Sequence, residues 1–230
     1  MKYSFIMPYY NRAEQLHNTL VSFVRFYRNR KDFEVILIVD SKQIPMMLCD
    51  LNRTVDIFSE ELVIKLYKGD SRRIYNPVTA FNIGVTYSSG EYLILTNPEC
   101  EHEGDILCEL DSIYNKNSPY VVCGCKSLKK DRSFDRWYQH SKHRPENYHF
   151  CSVITKEDYN KIGGFNEDYA EGYGYDDNSF RDRVWNSGIP FVVRDDLVVL
   201  HQFHEKVKSS DWRSRLDRNK KLYEKEFANG

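Results

Sequence analysis

The sequence predicts an α/β fold built on a mostly parallel sheet with helices on both faces. Three observations lead there. Two short runs, Phe33–Val39 and Tyr92–Thr96, read as continuous apolar strands, the pattern of strands covered on both sides. A segment with helical periodicity stands between the strand-like Lys2–Met7 and Phe33–Val39, and this β-α-β alternation recurs along the chain. The 230 residues, 41% hydrophobic and 14% aromatic, are enough to bury a real core, and they rule out disorder as the main state.

The elements follow in order. Lys2–Met7 is a strand, broken by Pro8-Tyr9-Tyr10-Asn11. Arg12 to Tyr27 carries Leu16, Leu20, Phe23 and Val24 at helical spacing. Phe33–Val39 is a strand ending at Asp40, and no element is assigned between Asp40 and the short strand Leu62–Leu66. Pro77–Tyr87 is a helix with Asn76 as N-cap and Pro77 in its first turn. Gly90-Glu91 turns the chain into Tyr92–Thr96. Asp105–Tyr114 is helical and Tyr120–Cys125 a strand. From Lys126 to Asn147 the periodicity dissolves into a long basic loop, with or without a short helix. That loop reads equally as a solvated segment or as an acceptor-facing lid. Order returns with His149–Thr155, a helix near Lys156–Lys161 and a break at Gly163-Gly164. Asn178–Asn186 is helical, Phe191–Val193 and Leu197–Leu200 are strands, and Ser209–Phe227 is a charged helix with Trp212, Leu216, Leu222 and Tyr223 as apolar contacts.

A formal charge of −1, from 33 Lys+Arg against 34 Asp+Glu, argues against a dedicated nucleic-acid binder. No apolar run approaches a membrane span, and the N-terminus enters a strand without signal-peptide features. A soluble, cytoplasmic protein is expected. The six cysteines form no C-x-x-C pair and are expected to be buried and reduced. His140, His143, His149 and Cys151 match no closed zinc site.

Ligands of open α/β sheets gather beyond the carboxyl ends of the strands. Those ends offer Pro8-Tyr9-Tyr10-Asn11-Arg12, Asp40-Ser41-Lys42, Asn97-Pro98-Glu99-Cys100-Glu101, and His201 with His204. No glycine-rich phosphate loop follows the first strand, so a bound nucleotide needs another counter-charge for its phosphates. Asn97 and Glu99 with a histidine form an oxygen-plus-imidazole set suited to Mn²⁺ or Mg²⁺ on a diphosphate.

These residues resemble the family 2 glycosyltransferases of the GT-A fold. The resemblance rests on Phe5–Arg12, Glu34–Asp40, Ala80-Phe81-Asn82-Ile83-Gly84 with Gly90-Glu91-Tyr92, Gly163-Gly164-Phe165-Asn166-Glu167, and Gly174-Tyr175-Asp176-Asp177-Asn178. The last looks like the acidic motif of β-1,4-galactosyltransferase-type enzymes. It implies a single GT-A domain over 1–230: a nucleotide-binding half (1–100), an acceptor and catalytic half (101–204) and a helical tail (205–230). It implies a mostly parallel central sheet flanked by helices, with a small antiparallel addition in the C-terminal half. It implies a nucleotide-sugar donor, UDP-linked foremost, and a glycan or other hydroxyl acceptor. Transfer is expected to be inverting, with Asp177 as general base beside Asp176. Pro8, Tyr9, Asn11, Arg12, Asp40, Arg73, Asn82, Asn97 and Gly164 are the donor-binding candidates.

The family's Asp-x-Asp metal motif reads Asn97-Pro98-Glu99 here. Glu99 and His201 are therefore the implied metal ligands, with Asn97 as a weaker ligand or a contact to ribose or a metal-bound water, and with His204 as the rival histidine. Metal independence stays open. So do plainer readings: Asp176-Asp177 as caps of the following helix, Asp40 as a turn former, and Gly163-Gly164 as a helix end. Two other functions stay in view, a nucleotidyltransferase on a related sheet and a non-catalytic nucleotide-sugar or glycan-binding module.

Overall fold

The computed structural model describes residues 1–40, 45–69, 77–114, 118–205 and 210–228. Its strands are β1 (Tyr3–Tyr9), β2 (Phe33–Val39), β3 (Ile64–Lys68), β4 (Tyr92–Thr96), β5 (Cys100–His102), β6 (Tyr120–Leu128), β7 (Phe134–Gln139), β8 (Cys151–Thr155) and β9 (Phe191–His201). Its helices are α1 (Ala13–Tyr27), α2 (Pro45–Phe58), α3 (Pro77–Tyr87), α4 (Ile106–Tyr114), α5 (Lys156–Lys161), α6 (Asp176–Asn186) and α7 (Trp212–Glu226), with a 3₁₀ turn over Glu167–Glu171.

One sheet runs β3-β2-β1-β4-β8-β6-β9-β5, with β7 paired to β6. Strand periodicity explains its two-sided burial. Tyr3, Phe5, Met7 and Tyr9 of β1, with Phe33, Val35 and Leu37 of β2, join Leu16, Leu20 and Phe23 of α1 in one core. Ile6, Ile36, Ile38, Leu93 and Leu95 point the other way, into a second core with Phe81, Phe165 and Phe180. Gly84 lets α3 lie directly on the sheet, since a Cβ there would sit 2.3 Å from Ile6 Cγ2.

The parallel expectation holds for β1, β2, β3 and β4. In the second half antiparallel pairing goes well beyond a small addition: β4–β8, β6–β8, β6–β7 and β5–β9 are antiparallel, against one parallel pair, β6–β9. The Lys126–Asn147 segment is not one long loop: only its end, past Gln139, is irregular. β6 continues to Leu128 and returns as β7, an edge strand whose outward residues are polar enough to hide the alternation. Helix α2 fills part of the stretch left unassigned. It buries only Leu51, Thr54 and Phe58, a narrow apolar face. Phe191–Val193 and Leu197–Leu200 are one strand, and α6 begins two residues earlier than expected, at Asp176.

Glu34 stands within the apolar run of β2 and its side chain is fully buried. It accepts from Lys65 Nζ (2.6 Å), Ser4 Oγ (2.7 Å) and the Ser89 N–H (2.7 Å) and hydroxyl (2.8 Å). Burial opposes its ionisation, but these donors prevail and hold its pKa down at about 2. All six cysteines are free thiols. Cys100, Cys123, Cys125 and Cys151 are buried as expected, whereas Cys49 and Cys108 are exposed. Among the described residues no helix is long and apolar enough to cross a membrane.

Candidate active site

Register builds the first half of the site. β5 pairs antiparallel with β9, Cys100 opposite His201, so Glu99 comes to lie beside the end of β9. The Gln202 N–H donates to the Glu99 carbonyl (2.9 Å), extending the ladder by one residue. The Gln202 side chain then ties this corner to α1, donating to the Gln15 carbonyl (3.0 Å) and accepting from Asn18 (2.8 Å). The outcome is a cluster of Glu99, His201 and His204 whose ligand atoms all lie within 4.8 Å of one another. Glu99 Oε1 is 3.8 Å from His201 Nε2 and 3.6 Å from His204 Nε2. The rival histidines therefore both belong to the cluster.

One carboxylate and two imidazoles fit a divalent cation with open coordination positions. The two nitrogens move the set from Mg²⁺ toward Mn²⁺ and the later first-row metals. Arg12 donates to His204 Nδ1 (3.0 Å), which puts that ring's proton on Nε2. Nδ1 also lies 3.2 Å from the Glu205 carbonyl, so the other tautomer, with Nε2 free for a cation, has a partner ready.

The second half comes from the start of α6. Tyr175, with φ 65°, holds a left-handed conformation uncommon for a non-glycine residue, directly before Asp176. The 3₁₀ turn and α7 hold this bend. Asn219, fully buried, donates to the carbonyls of Tyr169 (3.0 Å) and Gly174 (2.7 Å). Arg215 donates to the Gly172 carbonyl (2.9 Å), and Glu226 accepts from Tyr169 Oη (2.6 Å) and Ser179 Oγ (2.8 Å). The tail helix thus adds polar clamps to the apolar contacts expected of it, with Leu222 and Tyr223 packed against the second core.

The two aspartates differ. Asp176 turns inward, and burial with the adjacent Asp177 carboxylate pushes it up to about 7. The Asp177 side chain is 36% exposed and accepts from His149 Nε2 at 2.9 Å. His149 is buried against the rings of Phe81, Phe165 and Phe180. Burial works against its charged form, yet the Asp177 carboxylate raises its pKa above the ordinary histidine value. Sequence reading missed this residue as a partner of Asp177. Twenty-eight positions separate the two, and no spacing rule links a strand-flanking histidine to a distant helix start. Asp177, His201 and His204 line one cleft of about 530 Å³, with Arg136, Tyr138, Arg144, Tyr148 and Phe150.

Of the donor-binding candidates, Pro8, Tyr9, Asn11, Arg12, Asp40 and Asn97 stand at the carboxyl edge of β1, β2 and β4. The Asp40 N–H donates to the Tyr9 carbonyl (3.0 Å), and Asn11 takes a left-handed turn into α1. Asn97 closes the turn into β5 by accepting from the Cys100 N–H (3.0 Å). Asn82 and Gly164 play a different part. Asn82 donates to the Phe165 carbonyl and Glu167, both at 3.0 Å, and accepts from Tyr159 Oη (2.6 Å) and the Phe165 N–H (2.9 Å). That fills the hydrogen-bonding capacity of its amide, so it braces the 164–167 segment and has nothing left for a donor. Gly164, at φ +64°, is packed under Asn82 and Tyr159, which accounts for the glycine without a sugar. Arg73 and the expected cap Asn76 lie outside the described residues, as do Ser41 and Lys42.

The comparisons agree with this architecture. The glycosyl transferase family 2 model matches residues 4–189. S. aureus TarS superposes with a TM-score of 0.77 at 15% identity, over 100% of this chain and 40% of its own. A structure of TarS 1–349 in complex with UDP-GlcNAc gives 0.74 at 16% identity, over 100% of this chain and 67% of that one. The mannosyltransferase PcManGT from Pyrobaculum calidifontis, in complex with GDP-Man and Mn²⁺, gives 0.70 at 16% identity, over 100% and 65%. The chain thus spans between two fifths and two thirds of the length of these proteins. No curated protein sequence matches it. The matched stretch covers most of the sequence and takes in both the Glu99 turn and the Asp176-Asp177 segment, so the chain belongs to glycosyl transferase family 2 and carries the GT-A fold.

Proposed function

We propose that this chain transfers a sugar from a nucleotide sugar, a UDP-sugar foremost, to a hydroxyl of a glycan or glycoconjugate, with inversion at the anomeric carbon. One observation carries the reading: Asp177 lines the same cleft as His201 and His204, the two histidines that cluster with Glu99. Two of the solved relatives were crystallised with UDP-GlcNAc and with GDP-Man and Mn²⁺, which supports a nucleotide-sugar donor here.

Glu99, His201 and His204 are the residues that would hold a divalent cation, Mn²⁺ or Mg²⁺, with Asn97 beside them. Bound there, it would supply positive charge to the departing diphosphate. Asp177 is the base. One of its oxygens is occupied by His149, and the other is left to take the acceptor's proton as the acceptor oxygen attacks. His149 is a positioning residue. Its imidazole fixes the carboxylate's orientation through the 2.9 Å hydrogen bond. Asp176 is buried and does not line the cleft, so it supports the bend and leaves the proton transfer to Asp177.

The test is a thermal-shift screen of nucleotide sugars with and without Mn²⁺. A specific donor at a hundredfold excess over its Kd should stabilise the protein by about 2.7 kcal/mol, an effect that depends on the cation. Asp177→Asn should keep this shift and lose transfer. Undiminished transfer by that variant eliminates Asp177 as the base, and product anomericity by NMR checks inversion.

A further inference from the structure

Resting on the transferase reading above, we propose that the acceptor carries an anionic group, a phosphate or carboxylate, and that Arg136 and Arg144 receive it. Both line the cleft that holds Asp177, His201 and His204. Both guanidinium groups lie over the ring of Tyr138, at 5.3 and 5.2 Å from its centroid. That ring is buried and held on both counts, stacked on Phe150 at 5.1 Å and edge-on to His201 at 4.8 Å. Two cations are thus gathered on a rigid platform beside the base.

Their lack of counter-charge is selective. Elsewhere on the β6–β7 hairpin, Lys126 pairs with Glu103 and Arg132 with Glu101, each at 2.7 Å. Arg144 is half-buried, yet among the described residues no carboxylate lies within ion-pair distance of it. The nearby Asp177 is engaged by His149. Arg136 has only its sequence neighbour Asp135, at 3.6 Å, and its side chain is 60% exposed. Holding the half-buried Arg144 beside a second cation, with no carboxylate of its own among the described residues, is unfavourable unless an anion joins it. A planar guanidinium is matched to phosphate and carboxylate oxygens. The whole chain has a formal charge of −1, so the concentration is local.

Topology favours the acceptor over the donor as the source of this anion. β7 hangs from β6 in the second half of the sheet, and none of the nucleotide-side candidates Tyr9, Asn11, Arg12 and Asp40 lines the cleft that holds Arg136 and Arg144.

The experiment uses the full chain at physiological ionic strength. Glucose, galactose and N-acetylglucosamine are each offered as the methyl glycoside, the 6-phosphate and the uronate, with binding followed by ligand-observed NMR titration. The phosphorylated or uronate forms should bind at least about tenfold more tightly than their neutral counterparts. Arg144→Gln and Arg136→Gln should abolish that preference, and Arg144→Lys should keep part of it. Equal binding of neutral and anionic forms, or binding of neither, overturns the proposal. So does a loss in the arginine variants of the UDP-sugar thermal shift, which would assign the two cations to the donor diphosphate. Failure of the transferase reading is separate: no nucleotide sugar would then shift the melting of the unaltered chain.

Discussion

His149 and Asp177 form the smallest working unit of the site. His149→Gln replaces the ring that holds the Asp177 carboxylate at 2.9 Å by a flexible amide. We expect kcat to fall about 10–100-fold with little change in the donor KM. An unchanged kcat would make His149 a packing residue. The same pair affects folding. Because the folded-state pKa of His149 is raised, its contribution to stability is complete below about pH 6.5 and is lost as pH rises through the raised value. Asp176 acts through the opposite ionisation. Held at about 7 against an ordinary 3.8, it stays protonated in the fold while the unfolded chain ionises, so it costs stability increasingly from about pH 4 to 7. Asp176→Asn should therefore gain melting temperature relative to the parent across that interval, by a few degrees at pH 8. A difference that does not vary with pH would refute this. At this scale the sequence was only partly legible. Glu99, His201 and Asp177 stood out by their place after strands and glycines. His149 did not, because its role comes from a tertiary contact that no periodicity encodes.

The elements that position these residues owe their shape to a few backbone requirements. Gly164 has φ +64°, and a Cβ there would sit 2.8 Å from Asn82 Oδ1 and from Tyr159 Cε1. Gly164→Ala should cost about 1–3 kcal/mol in urea unfolding. It should also loosen the hydrogen-bonded segment from Phe165 to Glu167. An unchanged midpoint would mean that the brace is dispensable. The buried elements were the readable ones. β2 and β4 matched their predicted limits, because strands covered on both faces need apolar residues at nearly every position. β7 and α2 were lost because each shows much of its surface to water. Phe134 on β7 and Met46 and Ile57 on α2 are exposed, which blurs the periodic signal. Asn82 misled in another way. The resemblance placed it among the donor contacts, but its partners are the backbone and side chains of Tyr159 and the Phe165–Glu167 segment.

Over the whole molecule, one buried charge joins the nucleotide-side strands. Glu34 on β2 links Ser4 of β1, Lys65 of β3 and the turn at Ser89. With its pKa held at about 2 instead of 4.5, its contribution is intact above about pH 4.5 and is lost as pH falls toward 2. Glu34→Ala leaves four donors unanswered and should cost about 3–5 kcal/mol at neutral pH, while flattening the acid side of the stability curve. Equal acid sensitivity in parent and variant would contradict this. The parallel half of the sheet was legible as a pattern of strand, helix and strand. The antiparallel half was not, since strand direction there depends on which distant edge each segment joins. The clamps of the last helix carry a practical consequence for anyone trimming this protein. A version stopped before Trp212 would retain all nine strands and could pass every test of foldedness, yet the side chains that grip the carbonyls of Tyr169, Gly172 and Gly174 would be gone. Such a shortened enzyme should be sound in its scaffold and silent in its chemistry, its defect lying some forty positions upstream of the cut.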